Sequence, residues 1–130
     1  MPSQTKHYRA ALIGSGSRGM GLRAEANQPD RISVVAVAVP FEARFETLKS
    51  EDVAVYKDFE KMLETESVDI VLVATPIGTH YDVAKRVLDF PITALYLEKP
   101  MATRLWEADE LIHKAEKGNV RFVVGHQLRY

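Results

Sequence analysis

The chain has 130 residues, 46% hydrophobic and 27% charged, and its 17 Lys and Arg against 18 Asp and Glu leave a net charge of −1. That length suits one domain with a sizeable core, and the balanced charge argues against a nucleic-acid or membrane surface, which usually needs a basic excess. There is no cysteine, which excludes disulfides, thiolate nucleophiles and cysteine metal ligands and suits a reducing cytoplasm.

In chain order, MPSQTKHYRA carries no apolar run of the signal-sequence kind, and no segment reaches the roughly 18 apolar residues of a membrane span. AALIG (10–14) reads as the first strand. GSGSRG (14–19) follows as a glycine loop opening a helix. ISVVAVAV (32–39) and VAVY (53–56) read as strands two and three, and Phe59, Met62 and Leu63 form the stripe of a helix. DIVLVATP (69–76) is the fourth strand. Val83, Ala84, Val87 and Leu88 form the next helical stripe, stopped by Pro91. ALYLEKP (94–100) is the fifth strand, and Leu105, Ala108, Leu111, Ile112 and Ala115 mark the longest helix, with Gly118 as its stop. RFVVGHQ (121–127) closes the series. The nearly all-apolar second and fourth strands suit a parallel sheet covered on both faces.

Six strands joined by helices predict an α/β fold, a doubly wound, mainly parallel sheet in the order 3-2-1-4-5-6. Ligands of such sheets bind beyond the carboxyl ends of the strands, at the switch point between strands 1 and 4. Function is therefore expected just after residues 14, 39, 75, 98 and 126. The loop at the first of these places, with Gly14, Gly16 and Gly19, matches G-x-G-x-x-G. Its glycines permit a tight turn, close approach of backbone to a pyrophosphate, and helix–strand packing, while the helix start presents unpaired N–H groups to phosphate. A dinucleotide is the expected ligand; a purely structural turn is the alternative.

ATPIGTH and LYLEKP end strands four and five and bring Thr75, Pro76, His80, Glu98 and Lys99 toward the same crevice. Thr75-Pro76 also fits a plain strand-ending turn, His80 a solvated residue early in a helix, and Glu98-Lys99 a surface ion pair. A carboxylate at Glu98 suits ribose hydroxyls, and an ammonium at Lys99 suits a substrate hydroxyl or carbonyl. The four histidines lack metal-ligand spacing, so no metal is assigned.

GSGSRG, ATPIGTH, LEKPMA and GHQLRY, in that order, resemble the amino-terminal Rossmann half of the glucose–fructose oxidoreductase, inositol dehydrogenase and rhizopine catabolism (Gfo/Idh/MocA) family, from about residue 8 to 130. The resemblance implies an NAD- or NADP-dependent oxidoreductase acting on sugars, cyclitols or related alcohols. It implies that Gly14, Ser15, Gly16, Ser17, Arg18 and Gly19 hold the pyrophosphate, and that Thr75, Pro76 and His80 line the nicotinamide side. Glu98 would contact the nicotinamide ribose, Lys99 would be the catalytic lysine handling the substrate hydroxyl proton, and Gln127 and Arg129 would lie near nicotinamide and substrate.

Two departures qualify that expectation. Residues 1–130 read as a single dinucleotide-binding domain without the family's second α/β domain, which supplies a partner histidine and most substrate contacts. The chain alone is expected to bind cofactor with little turnover, to take a polyol or sugar-like substrate only when completed by a second domain, and to self-associate as a homodimer through uncovered apolar surface. A stand-alone binding or regulatory module is the alternative. Further, where NAD-preferring relatives commonly carry Asp, strand two ends in Val39. Losing that carboxylate costs about 1.5–3 kcal/mol of ribose binding and tilts the balance toward NADP. Arg44 and Arg18 are the candidate partners of a 2′-phosphate, and Glu42 a substitute acceptor for the ribose.

Overall fold

The computed structural model describes residues 6–14, 17–28, 30–39 and 53–125. Six parallel strands, β1 (Tyr8–Ile13), β2 (Ile32–Ala38), β3 (Ala54–Tyr56), β4 (Ile70–Val73), β5 (Ala94–Leu97) and β6 (Arg121–Val124), form one sheet in the order β3-β2-β1-β4-β5-β6. This is the expected doubly wound order, with its switch point between β1 and β4. Among the described residues the helices are α1 (Ser17–Ala26), α2 (Phe59–Thr65), α3 (His80–Val87), preceded by a 3₁₀ turn at Ile77–Thr79, and α4 (Leu105–Lys117).

Alternation along β1 sorts the core into two layers. Ala10 and Leu12 pack with Leu22 of α1, Val34, Val37 and Leu72 on one face. Ala11 and Ile13 pack with Met62, Val83, Val87, Leu95, Leu97 and Leu111 on the other, under α2, α3 and α4. Period-2 strands covered on both faces need apolar residues at nearly every position, as β1, β2 and β4 have. Each fully buried leucine, such as Leu12 or Leu95, contributes about 1.5–3 kcal/mol relative to exposure.

A register shift interrupts β2. Ala10 pairs with Val34 but Ala11 pairs with Ala36, leaving Val35 as an extra residue. The bulge turns Val37 to the α1 face and Ala36 and Ala38 to the other, which an unbroken alternation from Val34 would have reversed.

The strands are shorter than the apolar runs suggest at their carboxyl ends. Pairing stops at Val73, Leu97 and Val124, and residues 74–76 and 98–100 leave the sheet as loops. The prolines at 76 and 100 have no N–H to continue a ladder. The long helix also differs in detail. Of its apolar stripe only Leu111 and Ala115 are buried, whereas Leu105 is 80% exposed, because α4 covers the edge of the sheet. The helix stops where expected, yet the left-handed residue is Asn119 (φ 56°), not Gly118 (φ −87°). The Val120 N–H then closes back on the Ala115 carbonyl at 2.8 Å, satisfying one of the free carbonyls at the helix end.

Candidate nucleotide-binding site

The carboxyl edge of the sheet is knitted one residue beyond each strand. Gly14 N–H donates to the Ala38 carbonyl at 2.9 Å, Ala74 N–H to Ile13 at 2.9 Å, Glu98 N–H to Val73 at 3.0 Å, and Gly125 N–H to Leu97 at 2.9 Å. These bonds bring the ends of β1, β4 and β5 side by side, so Gly14, Thr75 and Glu98 share one rim. Two surface grooves lie at the opposite, amino edge, one lined by Tyr8, Ile70, Thr93 and Arg121, the other by Arg23, Asn27 and Ser33. Neither has a glycine turn or a helix start, and ligands of this topology bind at the carboxyl edge.

Gly14 has φ +103°, and a Cβ there would lie 2.8 Å from the Ala74 carbonyl carbon and closer still to its oxygen. Only glycine fits, because the chain must turn into α1 while pressed against the β4 loop. The helix then opens at Ser17, so Ser17, Arg18 and Gly19 form its first turn, whose N–H groups have no acceptor within the helix. Ser15, Gly16, Arg44 and Gln127 lie outside the described residues, as do Glu42, His126 and Arg129.

The loop after β4 is held from within. Thr79 Oγ1 stands 2.6 Å from the Pro76 carbonyl and 2.7 Å from Thr75 Oγ1. The carbonyl only accepts, so the Thr79 hydroxyl donates to it and accepts from Thr75. Thr75 is half-buried and Pro76 exposed at the rim. His80 is not a solvated residue. It is 1% exposed, with Nε2 2.8 Å from the Thr75 carbonyl and Nδ1 2.8 Å from the Pro100 carbonyl.

Glu98 and Lys99 do not form a surface pair of side chains. Glu98 is 6% exposed and accepts a hydrogen bond from the Tyr96 hydroxyl at 3.2 Å, whereas Lys99 is exposed. Consecutive residues leaving a strand point to opposite sides, which separates the carboxylate from the ammonium. Tyr96 and Gly125 are site residues that the sequence reading missed. A Cβ at Gly125 would lie 2.7 Å from Tyr96 Cζ and 3.3 Å from Glu98 Oε1, so the glycine makes room for the Tyr96–Glu98 pair. The i, i+2 spacing of Tyr96 and Glu98 at a strand end was the available signal.

Val39 is displaced from its expected role. Its side chain is 0% exposed, packed among Leu12, Leu22 and Val37, while its N–H donates to the Tyr56 carbonyl at 2.8 Å. It has no surface to offer a ribose.

Residues 8–126 match the Gfo/Idh/MocA oxidoreductase family, NAD-binding Rossmann fold. The chain belongs to that family. It is the family's NAD-binding domain, with the sheet order and glycine turn that such binding requires. Over 123 residues it is 29% identical to the rhizopine catabolism protein MocA of Rhizobium meliloti, covering 95% of this chain and 38% of that protein. Among solved structures it superposes with a TM-score of 0.88 and 25% identity on the WlbA dehydrogenase of Chromobacterium violaceum, in complex with NADH and UDP-GlcNAcA, over 98% of this chain and 37% of that one. The myo-inositol 2-dehydrogenase of Lactobacillus plantarum gives 0.82 and 25% identity over 92% and 36%. The chain thus spans little more than a third of the length of these relatives.

Proposed function

We propose that this domain holds a nicotinamide dinucleotide across the rim formed by the β1, β4 and β5 loops and serves an oxidoreductase acting on a sugar, cyclitol or related polyol. The observation that carries the reading is the convergence of Gly14, Thr75-Pro76 and Glu98-Lys99 on one edge, at the switch point. These groups suit the ligand: a turn with no room for a Cβ beside the start of α1 for the pyrophosphate, and a buried carboxylate, held by Tyr96, for ribose hydroxyls. When bound, the nicotinamide supplies the acceptor for the hydride leaving the alcohol carbon. Lys99 projects from the same rim, and its Nζ, as the neutral amine, would accept the substrate hydroxyl proton as the carbonyl forms. The names of the relatives, which include an inositol dehydrogenase and a rhizopine catabolism protein, favour a polyhydroxylated substrate.

By itself the chain binds cofactor and turns over little, because hydride transfer needs the substrate carbon fixed against the ring with water excluded, and Lys99 stands exposed. Calorimetric titration with NAD and with NADP tests the binding. Saturable binding of either supports the reading; heats of dilution alone contradict it. A dehydrogenase-like steady-state rate with a polyol panel would contradict the second half.

A further inference from the structure

We infer that His80 is a positioning residue that ties the nicotinamide-side loop to the loop bearing Lys99. The inference rests on the proposed function and deepens it: the same site is held in shape by a side chain that need not touch the ligand.

His80 opens α3 and is 1% exposed, among the few buried polar side chains of the described chain. Apolar neighbours normally fill such a position, so a ring there must be hydrogen-bonded. Its two nitrogens face two different loops, Nε2 the Thr75 carbonyl and Nδ1 the Pro100 carbonyl, each at 2.8 Å. Both partners only accept. A neutral ring, with one N–H, bonds one loop at a time, and a ring carrying both protons bonds both.

The two loops are the ones that matter. The Thr75 carbonyl belongs to the β4 loop, whose Thr75 hydroxyl is already linked to Thr79. The Pro100 carbonyl directly follows Lys99, and the proline ring restricts φ at that residue. Fixing this carbonyl therefore fixes the backbone from which Lys99 projects. Among the described residues no strand bond does so, because the β4–β5 ladder ends with the Glu98 N–H on Val73. Beyond that bond, among the described residues, the imidazole spans the gap.

The test uses His80→Phe, which retains an aromatic ring without donors, and His80→Gln, which keeps an amide donor for one carbonyl. Amide hydrogen exchange is followed at Glu98 and Thr79, whose N–H groups bond the Val73 and Pro76 carbonyls, and, as reference, at Leu12 and Val37. Affinities for NADH and for ADP-ribose, which lacks the nicotinamide, are measured on the same samples. The inference predicts faster exchange at Glu98 and Thr79 with Leu12 and Val37 unchanged. It also predicts that His80→Phe weakens NADH about tenfold while ADP-ribose is unaffected, with His80→Gln between it and the parent. Unchanged exchange at Glu98 and Thr79 in both variants, or parallel losses of NADH and ADP-ribose, overturns it. If His80→Phe does not fold, His80→Gln decides on the same criteria. Failure of the parent chain to bind NADH overturns the proposed function instead, and the exchange comparison still decides whether His80 ties the loops.

Discussion

Gly14→Ala offers a perturbation whose cost can be worked from the coordinates. The residue sits at φ +103°, where a side chain is strained by about 1–2 kcal/mol. The added methyl would also press on the Ala74 carbonyl, with the carbonyl carbon at 2.8 Å and Thr75 N at 3.3 Å. These are backbone atoms of the loop anchored by the Ala74 N–H on Ile13, so relief requires parting the ends of β1 and β4. Overpacking of that kind costs about 1–3 kcal/mol. The sum, about 2–5 kcal/mol, is a large part of the stability of a typical domain. At about 3–5 °C per kcal/mol for a chain of this length, the melting temperature should fall by about 6–25 °C. Gly78→Ala is the matched control, since a Cβ there meets nothing within 4 Å, and it should shift stability by about 1 kcal/mol or less, upward if at all. Thermal unfolding followed by circular dichroism, with both variants in parallel, reads the difference. Equal melting temperatures for the two would refute the tight turn at the end of β1.

Val39→Asp, the obvious attempt to install a ribose acceptor, should unfold before it helps, because a carboxylate placed without a partner among Leu12, Leu22 and Val37 costs about 3–5 kcal/mol. A variant as stable as the parent and binding NAD more tightly would show that this position faces the ligand after all. Gly125→Ala should displace the Tyr96 phenol from Glu98 and cost about 1–3 kcal/mol; an unchanged melting temperature would contradict the packing. The Tyr81 hydroxyl and then Lys85 hold the Glu110 carboxyl below its usual 4.5, while Glu110 raises both Lys85 and Tyr81 above their usual values. The link between α3 and α4 is therefore fully formed above the ordinary carboxylate range and is lost as pH falls through the lowered Glu110 value. It is present below the ordinary Tyr and Lys values and lost as pH rises through the raised ones. Glu110→Gln should flatten the stability profile on the acid side, and identical profiles for parent and variant would rule the link out.

Sheet order was legible because the strands are short apolar runs and the β1–β2, β3–β4, β4–β5 and β5–β6 connections carry helices, which leaves few topologies. Strand ends were not, since VATP and LEKP continue an apolar or extended pattern past the last paired residue, and pairing depends on the neighbouring strand. The bulge at Val35 leaves no trace in a run of Val and Ala, yet it sets which face of β2 meets α1. The glycine turn could be read from spacing alone, because φ > 0 and the absence of a Cβ are properties of the residue itself. Burial could not. Val39 and His80 both looked like rim residues by position, and both lie inside: Val39 because α1 packs over it, His80 because its two nitrogens face the Thr75 and Pro100 carbonyls. The separation of Glu98 from Lys99 follows from strand alternation and was available in principle, but Tyr96 and Gly125, which hold Glu98 in place, meet only through the β5–β6 pairing.

The most direct measurement is an NMR titration of the ¹⁵N-labelled chain with NADH. Binding across the carboxyl edge predicts shifts concentrated at Gly14, Thr75, Glu98 and Lys99, with Tyr8, Ile70, Thr93 and Arg121 unmoved at the opposite edge. Shifts gathered at that amino-edge groove, with Gly14 and Glu98 silent, would contradict the account.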